Sequence, residues 1–418
     1  AATVDQLDID AWRAAFAGGA GSTAGASADE SPSPFLPSRI ALRARTLHGM
    51  GRTLDEVSLD ASREADGWNA RVDSRQVAGA VQWRPGATAA AASLRLRLAR
   101  LNVPDANDEH NVVDALASSI DTLPAIDLVA DQFMLRGHDF GKLEVKAHTE
   151  TGAGGADPVW TLDKLQIEQP GATLSGNGSW RVPRRLRADA SAERRTLLSF
   201  AIDVRDAGAT LERLGLPHTL SDGKGKLEGR VAWRGSPLSI DYPTLTGKLS
   251  LDLENGQILS VEPGAARLLG VLSLQGLLRF ATLDFRTLSG RGLLFDRITG
   301  SGTIENGVGT IQEFQLRSPQ IIAGMSGTAN LLRETQDLRV DVVPRINATT
   351  TSIAAAFINP ALGIGTLAAQ LLFADEFSKM FTQHYRITGS WANPQVGKVE
   401  DNKASPTFQN RADPAFPR

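Results

Sequence analysis

Residues along much of this chain alternate one for one between apolar and polar. That period of two constrains the fold more than any other feature, because a β-strand sends successive side chains to opposite faces. Ile40, Leu42 and Ala44 alternate with Arg39, Ala41, Arg43 and Arg45. Leu94, Leu96 and Leu98 alternate with Arg95 and Arg97, and Leu249, Leu251 and Leu253 with Lys248, Ser250 and Asp252. Asn255-Gly256 follows the last of these runs, and Asn306-Gly307 lies between Ile304 and Val308. An Asn-Gly pair supplies the positive φ angles of a two-residue hairpin turn, so both pairs are expected as turns of antiparallel meanders. Gly223-Lys224-Gly225-Lys226 reads as a turn into a strand at Leu227.

A chain of 418 residues, 42% hydrophobic and 22% charged, has apolar surface enough to fold. Its net charge of -3 argues against binding nucleic acid through a basic face, and the absence of cysteine excludes disulfides and thiolate chemistry. The six histidines, His48, His110, His138, His148, His218 and His384, fall in no metal-binding spacing. Gly324-Met325-Ser326-Gly327-Thr328 misses the Gly-x-Ser-x-Gly nucleophile elbow at its last place. Gly363-Ile364-Gly365-Thr366-Leu367-Ala368 follows Pro360 in an apolar helical stretch and not the strand that a dinucleotide site requires. The sequence therefore offers no catalytic residue, no metal ligand and no cofactor, and an enzyme is not the expected reading.

Three stretches end alike, in Gly79-Ala80-Val81-Gln82-Trp83, Gly176-Asn177-Gly178-Ser179-Trp180 and Gly229-Arg230-Val231-Ala232-Trp233, and Leu36-Pro37 and Leu123-Pro124 open two of them. Such an echo implies an array of β units, each covering its neighbour's apolar edge. The expected organisation is a leading strand or helix segment over 1–19, a low-complexity linker over 20–37, and β repeats over 38–120 and 121–224, each with a short helix. A C-terminal β region with a helix at 263–280 follows over 225–345, then apolar broken helices over 346–385, a final strand over 386–400 and a disordered tail over 401–418. Asp206 is expected to cap a short helix carrying Leu211 and Leu214. Arg181, Arg184, Arg185, Arg187, Arg194 and Arg195 form a basic cluster that reads as a solvated face or as a contact for acidic lipid headgroups.

The segment from Ile346 to Ala374 carries no charge. At ~1.5 Å per residue, Ile353 to Ala374 as a helix approaches the ~30 Å thickness of a bilayer core. Asn359-Pro360, Gly363 and Gly365 interrupt it, so a bent pair of helices is expected, packed on the sheet end or touching a membrane interface, with a true span as the remaining alternative. Ile353, Phe357, Leu362, Leu367, Leu371, Phe373 and Phe377 would make that contact. The N-terminus shows no basic and apolar leader, and the chain reads as a fragment of a longer exported polypeptide.

Val261-Glu262-Pro263-Gly264-Ala265-Ala266-Arg267-Leu268-Leu269-Gly270, Met325-Ser326-Gly327-Thr328-Ala329, Arg333-Glu334-Thr335-Gln336-Asp337-Leu338, Asn359-Pro360-Ala361 and Tyr385-Arg386-Ile387-Thr388-Gly389-Ser390-Trp391-Ala392-Asn393-Pro394 stand in an order and spacing that resemble the C-terminal region of the YhdP family, within the AsmA-like proteins of the Gram-negative envelope. The resemblance covers roughly residues 225 to 400 and implies an elongated, curved antiparallel β-sheet, a repeating β-groove with few helices. It further implies a periplasmic protein, anchored in the inner membrane, that moves phospholipid toward the outer membrane and supports outer-membrane integrity. Ile40, Leu42, Leu94, Leu96, Leu98, Leu143, Val145, Leu249, Leu251 and Leu253 would then line a groove for acyl chains. Two alternatives stand beside it: a β-sandwich whose second sheet buries the same leucines, and an envelope scaffold that docks protein partners.

Overall fold

The computed structural model describes residues 2–9, 11, 38–49, 52–86, 91–103, 123–150, 159–181, 194–237, 240–259, 292–344 and 382–399. Nineteen strands form one sheet. In chain order they are β1 (Ala2–Asp8), β2 (Arg39–Gly49), β3 (Arg52–Glu64), β4 (Gly67–Asp73), β5 (Val77–Arg84), β6 (Ser93–Val103), β7 (Ala125–Leu135), β8 (His138–Glu150), β9 (Val159–Gln169) and β10 (Ala172–Arg181). After them come β11 (Arg195–Val204), β12 (Leu220–Arg234), β13 (Thr246–Ile258), β14 (Leu293–Glu305), β15 (Val308–Arg317), β16 (Ile321–Asn330), β17 (Thr335–Pro344), β18 (Gln383–Ser390) and β19 (Pro394–Val399). Each strand pairs with its neighbours in sequence, antiparallel except at β1–β2 and β6–β7, which are parallel. The sheet is open and curved, as its expected class requires.

The alternation fixes how these strands register. Ile40 on β2 starts a row that crosses to β19 through Ala61, Ala70, Val81, Leu96, Leu128, Val145 and Leu165. It continues through Gly176, Phe200, Gly229, Leu249, Gly302, Ile311, Gly327, Leu338 and Ile387 to Val396. Residues opposite one another point to the same face, so eighteen strands place only apolar residues or glycine in this row. The intervening positions make a polar row: Asp60, Arg71, Ala80, Arg97, Val129, Glu144, Gln166, Ser175, Ala201, Glu228, Ser250, Ser301 and Glu313 lie successively opposite one another.

From β10 to β17 the apolar row alternates glycine with a large residue. A Cβ on Gly229 would come within 2.6 Å of both Leu249 Cδ2 and Phe200 Cζ. At Gly229 the large side chains of both neighbouring strands therefore spread over the glycine, where a side chain of its own would displace them.

Asn306-Gly307 is the expected hairpin turn, with φ of 49° and 75° between β14 and β15. Asn255-Gly256 is not a turn. β13 runs straight through it, with Glu254 opposite Arg297 and Gly256 opposite Phe295. Asn255, at φ 54°, twists the strand so that the apolar-face spacing jumps by three and both Leu253 and Gly256 are buried. Asn255 alone takes a positive φ and Gly256 does not, its neighbours found partners on both sides, and the chain did not reverse. Gly223 to Lys226 likewise lies inside β12 and is not a turn. The described helix, α1 (Ala207–Arg213), starts at Asp206 as expected, where the carboxylate accepts the Ala209 amide at 2.9 Å. The 263–280 helix and the broken helices expected over 346–385, save residues 382–385, lie outside the described residues; 383–385 belong to β18.

Replacing Gly229 by Val should lower stability by about 1–3 kcal/mol, since the new methyls must displace Phe200 and Leu249. Ser250→Val, on the exposed polar face, should stay within about 0.5 kcal/mol. Urea midpoints at unchanged slope would read both.

Candidate functional site

The candidate site is the apolar face itself. Of the ten residues assigned to it from sequence, Ile40, Leu96, Val145 and Leu249 share the row just traced. Leu42, Leu98, Leu143 and Leu251 share the next, which passes from Leu42 through Leu59, Val72, Gly79, Leu98, Ala130, Leu143, Ile167, Leu174, Ile202, Leu227 and Leu251 to Gly300 and Phe314. Leu94 belongs to a third row, flanked by Trp83 and Ile126. Leu253 belongs to a fourth, beside Ile298. All ten therefore lie on one face. The seven residues proposed for the terminal helices, Ile353 to Phe377, lie outside the described residues.

Burial follows this division. Leu98, Leu143 and Leu253 are buried and most of the other seven are half-buried, whereas Arg95, Arg97 and Ser250 between them are exposed. Beyond each strand's own sheet neighbours, only α1, against β12 and β8, and the short 3-10 turn Tyr242–Thr244, against β12, make substantial contacts among the described elements. No second sheet is laid across the leucines there, so the sandwich alternative has no partner layer among the described residues.

The face has a chemically distinct rim, which the sequence reading missed. Trp68 stands opposite Trp83, and Trp160 opposite Trp180. Trp180 and Trp233 flank Thr196, and Trp391 packs in one cluster with Trp233, Leu245, Ile304 and Leu331. The chain has seven tryptophans; of the six described, five sit on the apolar face toward the same rim of the sheet, and Trp391, just past the end of β18, packs against that rim. The signal was present in the repeated Gly-x-x-x-Trp endings: a spacing of four puts both residues on the same face and fixes which end the indole occupies. α1 covers the opposite rim, where Ala207 and Leu211 join the cluster around Leu220, Leu253 and Phe295.

The polar face is laced by ion pairs across strands. Arg97 bonds Asp127 at 2.8 Å, and Arg386 clamps Asp337 with two bonds of 2.8 and 2.7 Å. Their guanidinium groups hold both carboxyls below the usual carboxylate range. Glu144 accepts Lys142 at 2.7 Å and Lys164 at 2.6 Å, and these bonds lower its pKa to about 2. Such pairs sit where water reaches them, so each contributes little. Among the described residues no group of His, Asp or Glu is arranged to hold a metal ion, and no helix is long and apolar enough to cross a membrane.

Comparison with known families matches the YhdP protein family over residues 1–396. Among curated proteins, the chain is similar to the intermembrane phospholipid transporter YhdP of Escherichia coli (strain K12), 28% identical over 240 residues. That stretch is 57% of this chain and 18% of the relative's length. No solved structure matches.

Because Glu144 is depressed in the folded sheet, its contribution to stability is complete above the ordinary carboxylate pKa of 4.5 and is lost as pH falls toward about 2. Glu144→Gln should therefore lower the unfolding free energy read from urea titration at pH 7 by ~1 kcal/mol or less, and the difference from the native chain should shrink steadily between pH 4.5 and pH 2.

Proposed function

The chain belongs to the YhdP family, and on that premise we propose that its apolar sheet face is a non-enzymatic conduit along which phospholipid moves between the inner and outer membranes. The observation that carries this reading is the apolar row from Ile40 to Val396, unbroken over eighteen strands and with no facing layer among the described residues. Adjacent strands lie ~4.8 Å apart, so seventeen steps give a track of about 80 Å measured along the sheet. Acyl chains resting on it leave water as they would in a bilayer, and since every strand offers an equivalent surface, a lipid advances without crossing a polar barrier.

On this reading the apolar face is the concave one. The alternation of Gly176, Gly229, Gly302 and Gly327 with Phe200, Leu249, Ile311 and Leu338 supports it by removing volume from that side. The cross-strand ion pairs of Asp127, Asp252 and Asp337 then lie on the convex, water-facing side. We take the parallel pairings β1–β2 and β6–β7, which flank the 20–37 linker and the 120/121 boundary in sequence, as junctions between β units; the boundary at 224/225 has no such junction, since β12 runs through it. The relative named as an intermembrane phospholipid transporter supports the choice of phospholipid as cargo. The uncharged segment of Ile353, Phe357, Leu362, Leu367, Leu371, Phe373 and Phe377 is assigned, from its sequence, to the membrane-facing end of this track. The full-length protein acts in the periplasm on this proposal.

Leu251→Asp places a charge in the middle of the track, whereas Ser250→Asp places it on the polar face one residue away. Phospholipid that copurifies with the chain, quantified by mass spectrometry after extraction, should fall severalfold with the first and stay unchanged with the second. Equal lipid content in both variants, with both folded, would overturn the proposal.

A further inference from the structure

Three arginines meet at the tryptophan rim. Arg181 on β10 stands opposite Arg195 on β11, and Arg195 opposite Arg234 on β12. All three are exposed, and none has a carboxylate partner among the described residues. Like charges directly opposite one another on adjacent strands destabilise a sheet; at the other arginine pairs, Arg297–Arg317 and Arg339–Arg386, one member reaches a diagonal carboxylate, Asp252 or Asp337, whereas no member of this three-residue row does among the described residues. An anion seated over this row would relieve its repulsion.

The neighbouring row supplies a second, independent sign. One residue back from Arg181 is Trp180, 3% exposed, whose indole N–H is buried without an acceptor. Trp233, beside Arg234, has met its own need by donating to the Ser236 carbonyl at 2.8 Å. Further along the same rim the N–H of Trp391, 8% exposed, is also buried and unmet, as are both amide atoms of Gln336, 6% exposed. Gln336 is the one polar side chain in a row that otherwise runs from Trp83 to Pro394 through apolar residues and glycine. Buried donors without acceptors are costly, and native proteins keep few of them. Turning an indole outward to meet an oxygen at the rim recovers that loss.

We propose that the tryptophan rim is the headgroup side of the groove, with Arg181, Arg195 and Arg234 as a station for the phosphate of a glycerophospholipid. The inference rests on the conduit reading above and adds an orientation to it. Acyl chains lie along the strands over Leu198 and Val231 toward the α1 rim, the ester oxygens come level with the indole of Trp180, and the phosphate passes over the edge to the arginines. Indole suits that boundary because its body is apolar and its single donor is polar. The guanidinium groups suit the phosphate because each can donate two bonds to it.

The test compares the full chain with an Arg181→Gln/Arg195→Gln/Arg234→Gln variant, which relieves a like-charge row and should fold at least as well. Both are loaded from palmitoyl-oleoyl phosphatidylethanolamine vesicles, with hexadecane and inorganic phosphate as separate probes. Phospholipid occupancy should fall roughly threefold to tenfold in the variant, with hexadecane uptake unchanged. In the unsubstituted chain the indole N–H resonances of Trp180 and Trp391 should shift with phospholipid but not with hexadecane, and that of Trp233 should not move. Unchanged phospholipid occupancy in the variant with hexadecane still bound, or a static Trp180 resonance, would overturn the station and leave the groove standing. An equal response to inorganic phosphate alone would mean a general anion site and overturn the lipid assignment. Binding of neither phospholipid nor hexadecane would remove the conduit reading and this inference with it.

Discussion

Strand register is the constraint on which the rest of this structure depends. Side chains repeat every two residues along a strand, so a slip of one residue would carry a whole strand's leucines to the polar face and its arginines to the apolar one. Leu94, Leu96 and Leu98 between Arg95 and Arg97 make such a slip costly: each exposed leucine forgoes roughly 1.5–3 kcal/mol of burial, and each arginine turned inward loses water without finding a carboxylate. Repeated from β2 to β19, that local choice builds one apolar face and one polar face over the length of the sheet, and the backbone hydrogen bonds follow. Even the parallel junction at β6–β7 keeps the phase, with Leu96 opposite Leu128 and Leu98 opposite Ala130.

A sheet with one apolar face ordinarily acquires a second layer. Among the described residues this one does not, and its composition shows how it tolerates the lack. Glycines set between large residues, as at Gly229 between Phe200 and Leu249, let neighbouring side chains cover one another. On the proposed reading, curvature brings the rows closer still and a lipid chain completes what neighbours leave open. The two rims differ in kind: α1 and its cluster close one, and tryptophan with unmatched arginine forms the other. A symmetric trough would hold a lipid in either direction, whereas on the proposed reading these rims distinguish tail from head.

Much of this was legible in the sequence because alternation is a local signal. All ten residues picked from it lie on one face, and Asn306-Gly307 and the Asp206 cap formed as their chemistry dictates. Asn255-Gly256 failed because a positive φ permits a reversal without requiring one; pairing with both Asp222 on β12 and Phe295 on β14 holds Gly256 within a continuous strand. The Arg181, Arg195 and Arg234 row was illegible because Arg234 is remote in sequence from the basic cluster and reaches it only through register. The orphaned indoles were invisible for a different reason: whether Trp180 finds an acceptor depends on its surroundings and not on its spacing.

The most direct test of the central claim is photocrosslinking from four consecutive positions of β13, with a benzophenone amino acid placed in turn at Leu249, Ser250, Leu251 and Asp252 and phospholipid adducts read by mass spectrometry. The account predicts a period of two: adducts at Leu249 and Leu251, and none above background at Ser250 and Asp252. Adducts of equal yield at all four, or only at Ser250 and Asp252, would contradict a lipid track on the apolar face.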